Sequence, residues 1–291
     1  MRSIRFQQTI LRSFQVHGRG YWTGVPVTLT FHPADPDTGI CFRRTDLPHQ
    51  PVLPAVAGIR SETQLRTRLT RESASVDMVE HVVSALVGMQ VDNCLVDCDA
   101  PEMPGLDGSA MAYALGIQQV GLTRQDRLRK AVVIEQPIRI GDNQQWVMAM
   151  PCSDPYPQLE YRLDYGPKHP ISAATASFSL GEGDYLNSIA PARTFVTQEE
   201  AQQLQSRGLA RHVSYRDLLV FGDAGPIDNT LRFADECARH KLLDLIGDLA
   251  LCGYSIVGRI VAFRSGHVLN GRMAESLWRL AQRTTAEPQV A

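Results

Sequence analysis

Apolar and polar positions alternate with a period of two through much of the first third of the chain. "IRFQQTI" (4–10), "PVTLTFHPA" (26–34) and "GICFRR" (39–44) show it, and Gly, Pro and Asp separate them. This pattern predicts β-strands. In "SVDMVEHVVSALVGM" (75–89) the period lengthens to that of a helix. The valines, Met78 and Leu86 fall on one arc, and Asp77, Glu80, His81, Ser84 and Gly88 on the other. "VDNCLVDCDA" returns to alternation. "PEMPGLDGSA" reads as a Pro/Gly loop, and "AMAYALGIQQVG" (110–121) as a second helix.

The segment "LTRQDRLRK" (122–130) is charged and lacks apolar periodicity, so it is the best candidate for a linker. Beyond it the rhythm repeats. Strands are predicted at "AVVIEQPIRI" (131–140), "QWVMAMP" (145–151) and "QLEYRLDY" (158–165). "TQEEAQQLQSRG" (197–208) opens with Thr197 and Glu200 at capping-box spacing and closes on Gly208, predicting a helix. A long helix follows at "ECARHKLLDLIGDLALCG" (236–253), then a strand at "YSIVGRIVAFR" (254–264) and a helix at "GRMAESLWRLAQR" (271–283). The expected fold class is α+β, with two domains, each a sheet with helices on one face. Their boundaries are expected at 1–121 and 131–291, joined by the linker 122–130.

Composition narrows the function classes. Hydrophobic residues are 44% and charged residues 21% of the 291 positions, enough apolar content for a globular core. A formal net charge of -2 argues against a general nucleic-acid binder, which carries a basic excess. The stretch "MRSIRFQQTILRSFQ" has no apolar core or small-residue cleavage site, so a cytoplasmic location is expected. No apolar run approaches the roughly 20 residues that span a bilayer. The six cysteines form no C-x-x-C pair and read as buried, reduced thiols.

Four stretches carry candidate chemistry. On the 236–253 helix, His240, Asp244 and Asp248 fall at about 0°, 40° and 80°, with Lys241 near 100°. The leucines and Ile246 occupy the opposite arc, as on any surface helix. The same spacing lets His240 and Asp244 ligate one metal. On the 75–89 helix, Glu80 and His81 read as an exposed polar pair. With His240 and Asp244, however, His81 completes a three-ligand set that leaves a position open, and Glu80 becomes a nearby base. His267, in "FRSGHVLNG", could serve as a general acid, with Asp248 placed to hold it and raise its pKa. Thr194, in "APARTFVTQEE", lies where a strand enters a turn, and its hydroxyl could meet a developing oxyanion.

In this order, the stretches resemble the zinc-dependent UDP-3-O-acyl-N-acetylglucosamine deacetylase family. The matching segments are "DTGICFRRTD", "VEHVVSALVGMQVDN", "APEMPGLDGSA", "ARTF", "LRFADECARHKLLDLIGDL" and "AFRSGHVLN". The resemblance implies two similar α+β domains, with helices sandwiched between two sheets and the active site at the domain interface. It implies a zinc site of His81, His240 and Asp244, a donor set that also suits iron(II). Glu80 would be the general base and His267 the general acid, held by Asp248. Thr194 would donate to the oxyanion, and Lys241 and Phe195 would contact the substrate. The implied partner is an amphiphilic UDP-3-O-acyl-N-acetylglucosamine, deacetylated in the committed step of lipid A synthesis, without stable membrane insertion.

Three segments depart from the family pattern. "GYWTG" places Trp22 where the family has histidine. "ETQLRTRL" places Arg66 near the expected pocket mouth. "GLARHVSYRDLLVF" places Arg211 and His212 in the expected acyl-binding insert around 195–222. If both point outward, the insert is unaffected; if not, acyl length or substrate differs. These departures leave two rivals: a deacetylase of a different or non-acylated sugar nucleotide, and a non-catalytic binding protein on the same fold.

Overall fold

The computed structural model describes residues 2–63 and 65–286; Gln64, inside "ETQLRTRL", lies outside the described residues. Alternation in the first half resolves into a five-stranded sheet. Its order is Phe14–Arg19, Pro26–Pro33, Cys94–Cys98, Ile40–Arg44, Val52–Pro54. Neighbours are antiparallel, except that Cys94–Cys98 runs parallel to Ile40–Arg44. Val27, Leu29 and Phe31 point inward at every second position, as the period of two requires. Cys94 and Cys98 share the buried face of their strand, and all six cysteines are free.

The second half builds another five-stranded sheet, ordered Ile138–Gly141, Trp146–Met150, Arg259–Phe263, Gln158–Leu163, Ala174–Ser179. Here too one central neighbour pair is parallel, Arg259–Phe263 with Gln158–Leu163, and the others are antiparallel. Both sheets therefore place the last strand of their half between two antiparallel pairs.

The helices are α1 (Glu80–Gly88), α2 (Met111–Val120), α3 (Tyr185–Ser188), α4 (Gln198–Ser206), α5 (Glu236–Ala250) and α6 (His267–Ala286). The capping box of α4 is formed, Thr197 and Glu200 each bonding the other's backbone. No described helix is long and apolar enough to cross a membrane. The dominant helix contact is α1 against α5; α5 also packs on Gln158–Leu163 and Ala174–Ser179. The contact is close because Gly247 has no side chain: a Cβ there would collide with the Glu80 carbonyl oxygen.

Several sequence expectations need correction. Residues 122–130 form no free linker. They belong to the strand Leu122–Val133, which pairs antiparallel with Arg2–Ile10 and then parallel with Ser255–Val257. Backbone bonds hold this ribbon, so its side chains can stay polar and hide the strand from a periodicity search. The expected helix 75–89 begins only at Glu80. Residues Ala74–Asp77 are a strand, and Met78 turns the chain with φ of 60°. Asp77 therefore leaves the helical arc and pairs with Arg68 at 2.5 and 2.6 Å. The expected strand 254–264 divides at Gly258 into Ser255–Val257 and Arg259–Phe263, in different sheets. The last helix begins at His267, not at 271.

The tight α1–α5 crossing generates a prediction. In an ordinary helix Gly247→Ala would gain up to about 1 kcal/mol in propensity. Here overpacking against Glu80 should outweigh that gain, at about 1–3 kcal/mol. Urea unfolding should show a net loss of stability. Equal or higher stability would mean that the two helices tolerate separation.

Candidate active site

The α1–α5 crossing turns the polar arcs of both helices toward each other instead of toward water. His240, Asp244 and Asp248 lie on successive turns of α5 and are 2%, 2% and 0% exposed. Glu80 and His81, in the first turn of α1, are buried against them. The "wet face" of α5 is thus interior, which its own pattern could not reveal.

His81, His240 and Asp244 bring one ligand atom each within 4.8 Å of one another. The Nε2 atoms of His81 and His240 lie 3.5 and 3.4 Å from Asp244 Oδ1. That oxygen is buried and accepts no hydrogen bond. A buried carboxylate oxygen without a donor is costly unless something positive meets it. His240 Nδ1–H donates to the Ala192 carbonyl at 3.1 Å, which leaves Nε2 as the free lone pair. Burial lowers the His240 pKa to about 3, so the ring is neutral and able to ligate. Burial alone would raise the Asp244 carboxyl, but the neighbouring charge of Lys241 counters it, and Asp244 is held well below the usual carboxylate range. Lys241 Nζ donates to Asp244 Oδ2 at 3.1 Å. Two imidazoles, one carboxylate oxygen and no competing donor fit a divalent ion with N/O preference.

A second buried group adjoins this one. His267 is the first residue of α6, and its Nδ1–H donates to Asp248 Oδ2 at 3.0 Å. Burial disfavours the imidazolium, but Asp248 outweighs it through its charge and this hydrogen bond, raising the His267 pKa to about 9. Asp248 also accepts from Asn270 Nδ2 at 2.9 Å and from Thr67 Oγ1 at 2.5 Å. Glu80 Oε2 accepts the Thr67 backbone N–H at 3.0 Å. Burial raises the Glu80 carboxyl, while His267 and His81 pull it down; the net shift is upward.

These groups open onto a cavity of about 400 Å³. Its polar end holds Glu80, His81, His240, Asp244, Lys241 and His267, together with Thr194 and Phe195. Lys241 Nζ sits 5.7 Å from the Phe195 ring centre, within cation–π range. Toward the 195–222 insert the lining is mixed, with Val196, Leu204, Val213 and Leu218 beside Glu200, Gln203 and Arg207. A cavity of about 250 Å³ lined by the insert shares Val196, Leu204, Val213 and Leu218.

Every candidate site residue is therefore in one place: His81, His240, Asp244, Glu80, His267, Thr194, Lys241 and Phe195 line the cavity, and Asp248 stands directly behind His267. Sequence reasoning missed three supports. Thr67 and Asn270 bond Asp248, and buried Arg193 bonds Glu236 at 2.8 Å, tying "ARTF" to the start of α5. Thr67 lay within the "ETQLRTRL" stretch, where only Arg66 drew notice. Asn270 is one turn from His267, a spacing that becomes informative only once α6 is known to start there.

The departures from the family pattern also have positions. The guanidinium of Arg66 lies 5.0 Å from the Trp22 ring centre, and Trp22 walls the cavity. The backbone N–H groups of Trp22 and Thr23 donate to Glu102 at 2.7 and 3.0 Å. Arg211 and His212 are both exposed and outside the cavity lining, and His212 Nε2–H donates to the Gly20 carbonyl at 2.8 Å. The GYWTG turn and the altered insert thus touch.

Comparison with known proteins agrees with this geometry. A model of the family described as UDP-3-O-acyl N-acetylglycosamine deacetylase (LpxC) matches residues 7–279. A protein of Thermosynechococcus vestitus named UDP-3-O-acyl-N-acetylglucosamine deacetylase is 40% identical over 271 residues, 93% of each chain. A Histophilus somni protein of the same name is 36% identical over 276 residues, covering 93% of this chain and 89% of its own. A third, from Geobacter sp. strain M21, is 35% identical over 274 residues, covering 94% and 88%. With a match of this extent, the chain belongs to the UDP-3-O-acyl N-acetylglycosamine deacetylase family.

Proposed function

We propose that this deacetylase hydrolyses the acetamide of a UDP-3-O-(3-hydroxyacyl)-N-acetylglucosamine to the free amine and acetate, the committed step of lipid A synthesis. The observation that carries this reading is the cavity itself. One end gathers a three-donor metal set with an orphaned carboxylate oxygen, a buried carboxyl and a raised histidine. The other end offers Val196, Leu204, Val213 and Leu218 as apolar wall, with Glu200, Gln203 and Arg207 among them. An amphiphilic acetamide matches both ends. The same reading takes the two halves, 1–121 and 131–291, as related α+β domains with their helices between the sheets. The shared strand order of the two sheets supports this.

His81, His240 and Asp244 would hold zinc, and iron(II) suits the same donors. When bound, the ion supplies Lewis acidity toward the acetamide and acidifies water. Glu80 accepts the proton of the attacking water; its raised pKa makes it a stronger base than an exposed carboxylate. The hydroxyl of Thr194 donates to the oxyanion of the tetrahedral adduct. As the C–N bond breaks, cationic His267 gives its proton to the nitrogen, because an amine anion is too basic to leave. Asp248 keeps that imidazole charged and oriented. Lys241 and Phe195 hold the sugar nucleotide, and the 195–222 insert takes the acyl chain.

Glu80→Gln should lower kcat about 10²- to 10⁴-fold with zinc still bound. Asp244→Ala should lose the zinc itself, as read by elemental analysis of the purified protein; full zinc occupancy with normal turnover would remove Asp244 from the site. The rival of a non-acylated substrate is tested by comparing UDP-3-O-acyl-N-acetylglucosamine with UDP-N-acetylglucosamine. Burying four methylenes at about 0.8 kcal/mol each predicts about 200-fold higher kcat/KM for the acylated compound. Equal values favour the rival.

The pH dependence follows from His267. Its pKa is raised, so the proton-donating form persists through neutrality and is lost as pH rises through about 9. The positive charge of a bound cation would move that midpoint downward. The basic limb of kcat/KM should therefore lie at or below about 9 and flatten in His267→Ala. An unchanged limb in that variant would assign it to another group.

A further inference from the structure

Thr67 reaches both halves of the acid–base machinery and belongs to neither. It is 1% exposed and does not line the cavity. Its backbone N–H donates to Glu80 Oε2 at 3.0 Å. Its hydroxyl donates to Asp248 Oδ1 at 2.5 Å and lies 3.4 Å from His267 Nδ1. It stands directly before the strand Arg68–Arg71, whose first residue is bridged to Asp77. The residue is thus carried on a hydrogen-bonded scaffold at a fixed distance from both carboxyl groups.

We propose that Thr67 is a positioning residue that fixes the Asp248–His267 pair relative to Glu80. The case rests on the acid–base reading above and on the hydrogen-bond bookkeeping of Asp248. That carboxylate is fully buried. Its Oδ2 accepts from His267 and Asn270, and Thr67 is the donor found at Oδ1 among the described residues. Without the hydroxyl, Oδ1 becomes a buried charged acceptor with no donor. The N–H groups of His267 and Asn270 already bond the other oxygen. Rotation of the carboxylate toward a shared geometry would turn the imidazole, and with it the Nε2 atom that must face the departing nitrogen. Asp248 alone cannot fix its own rotation, because His267 and Asn270 grip a single oxygen.

This arrangement separates Thr67 from a packing role. Side-chain substitution leaves the backbone bond to Glu80 in place and removes only the hydroxyl. Thr67→Val keeps the volume, so the steady-state parameters of zinc-loaded enzyme with the acylated substrate report on the hydroxyl. The expected result is kcat about 10- to 100-fold lower, the range for a buried charged acceptor that loses its donor. KM should stay within about threefold, because Thr67 does not touch the cavity. Thr67→Ser should restore most of kcat. Thr67→Ala gives the same comparison if the valine variant does not fold. In an Asp248→Ala background, removing the hydroxyl should have little further effect on kcat.

Unchanged kcat in Thr67→Val, or a KM that rises as far as kcat falls, overturns the proposal. So does a serine variant no better than valine, or a full effect without the Asp248 carboxylate. A wild-type enzyme that does not deacetylate the acylated substrate overturns the functional reading itself, and the Thr67 proposal with it.

Discussion

The structure depends on burying two polar helix faces against each other. Charged groups leave water only if each finds a compensating partner. At the α1–α5 crossing they do so in pairs and triads. Lys241 meets Asp244, His267 meets Asp248, and Thr67 spans Asp248 and Glu80. Three carboxyl groups, Glu80, Asp244 and Asp248, therefore face two cations, Lys241 and His267. One oxygen, Asp244 Oδ1, is left over, and two imidazole nitrogens point at it. The site departs from full polar satisfaction at the atom where a cation fits.

The same burial separates the properties of the two groups that handle protons. Glu80 has no strong cation bonded to it, so desolvation dominates and its pKa rises. His267 is desolvated too, but Asp248 in contact reverses the sign. A basic carboxylate and a charged imidazolium can then coexist in one cavity near neutral pH, as amide hydrolysis requires. Neither property belongs to a residue alone; each belongs to a residue and its partner.

The departures from the family pattern lie at the cavity wall and in the insert. Trp22 and Arg66 stack at the cavity wall, and His212 bonds the turn that carries Trp22. Tyr21, from the same turn, donates its hydroxyl to the Asp217 carbonyl of the insert at 2.5 Å. The changes at the two ends are thus joined, and Arg211 and His212 are exposed and outside the cavity lining.

Local pattern was enough for the strands with one buried face, for the α4 capping box and for the phase of α5. These depend on neighbours in sequence: a period of two, a Thr–Glu pair three apart, and polar residues at i and i+4. It was misleading at 122–130, where the ribbon is held by backbone bonds that leave no apolar period. It was misleading at 75–79 as well, where Met78 ends a strand inside an otherwise helical pattern. The order of the chemistry-bearing stretches pointed to the family, because motif order survives where contacts are invisible. What sequence alone could not decide was whether the polar face of α5 met water or another helix. That answer came from residues more than 150 positions away: the first turn of α1, brought into contact because Gly247 leaves room for the Glu80 backbone. The burial of both polar faces follows from that contact, so only the tertiary structure could turn ordinary polar residues into a site.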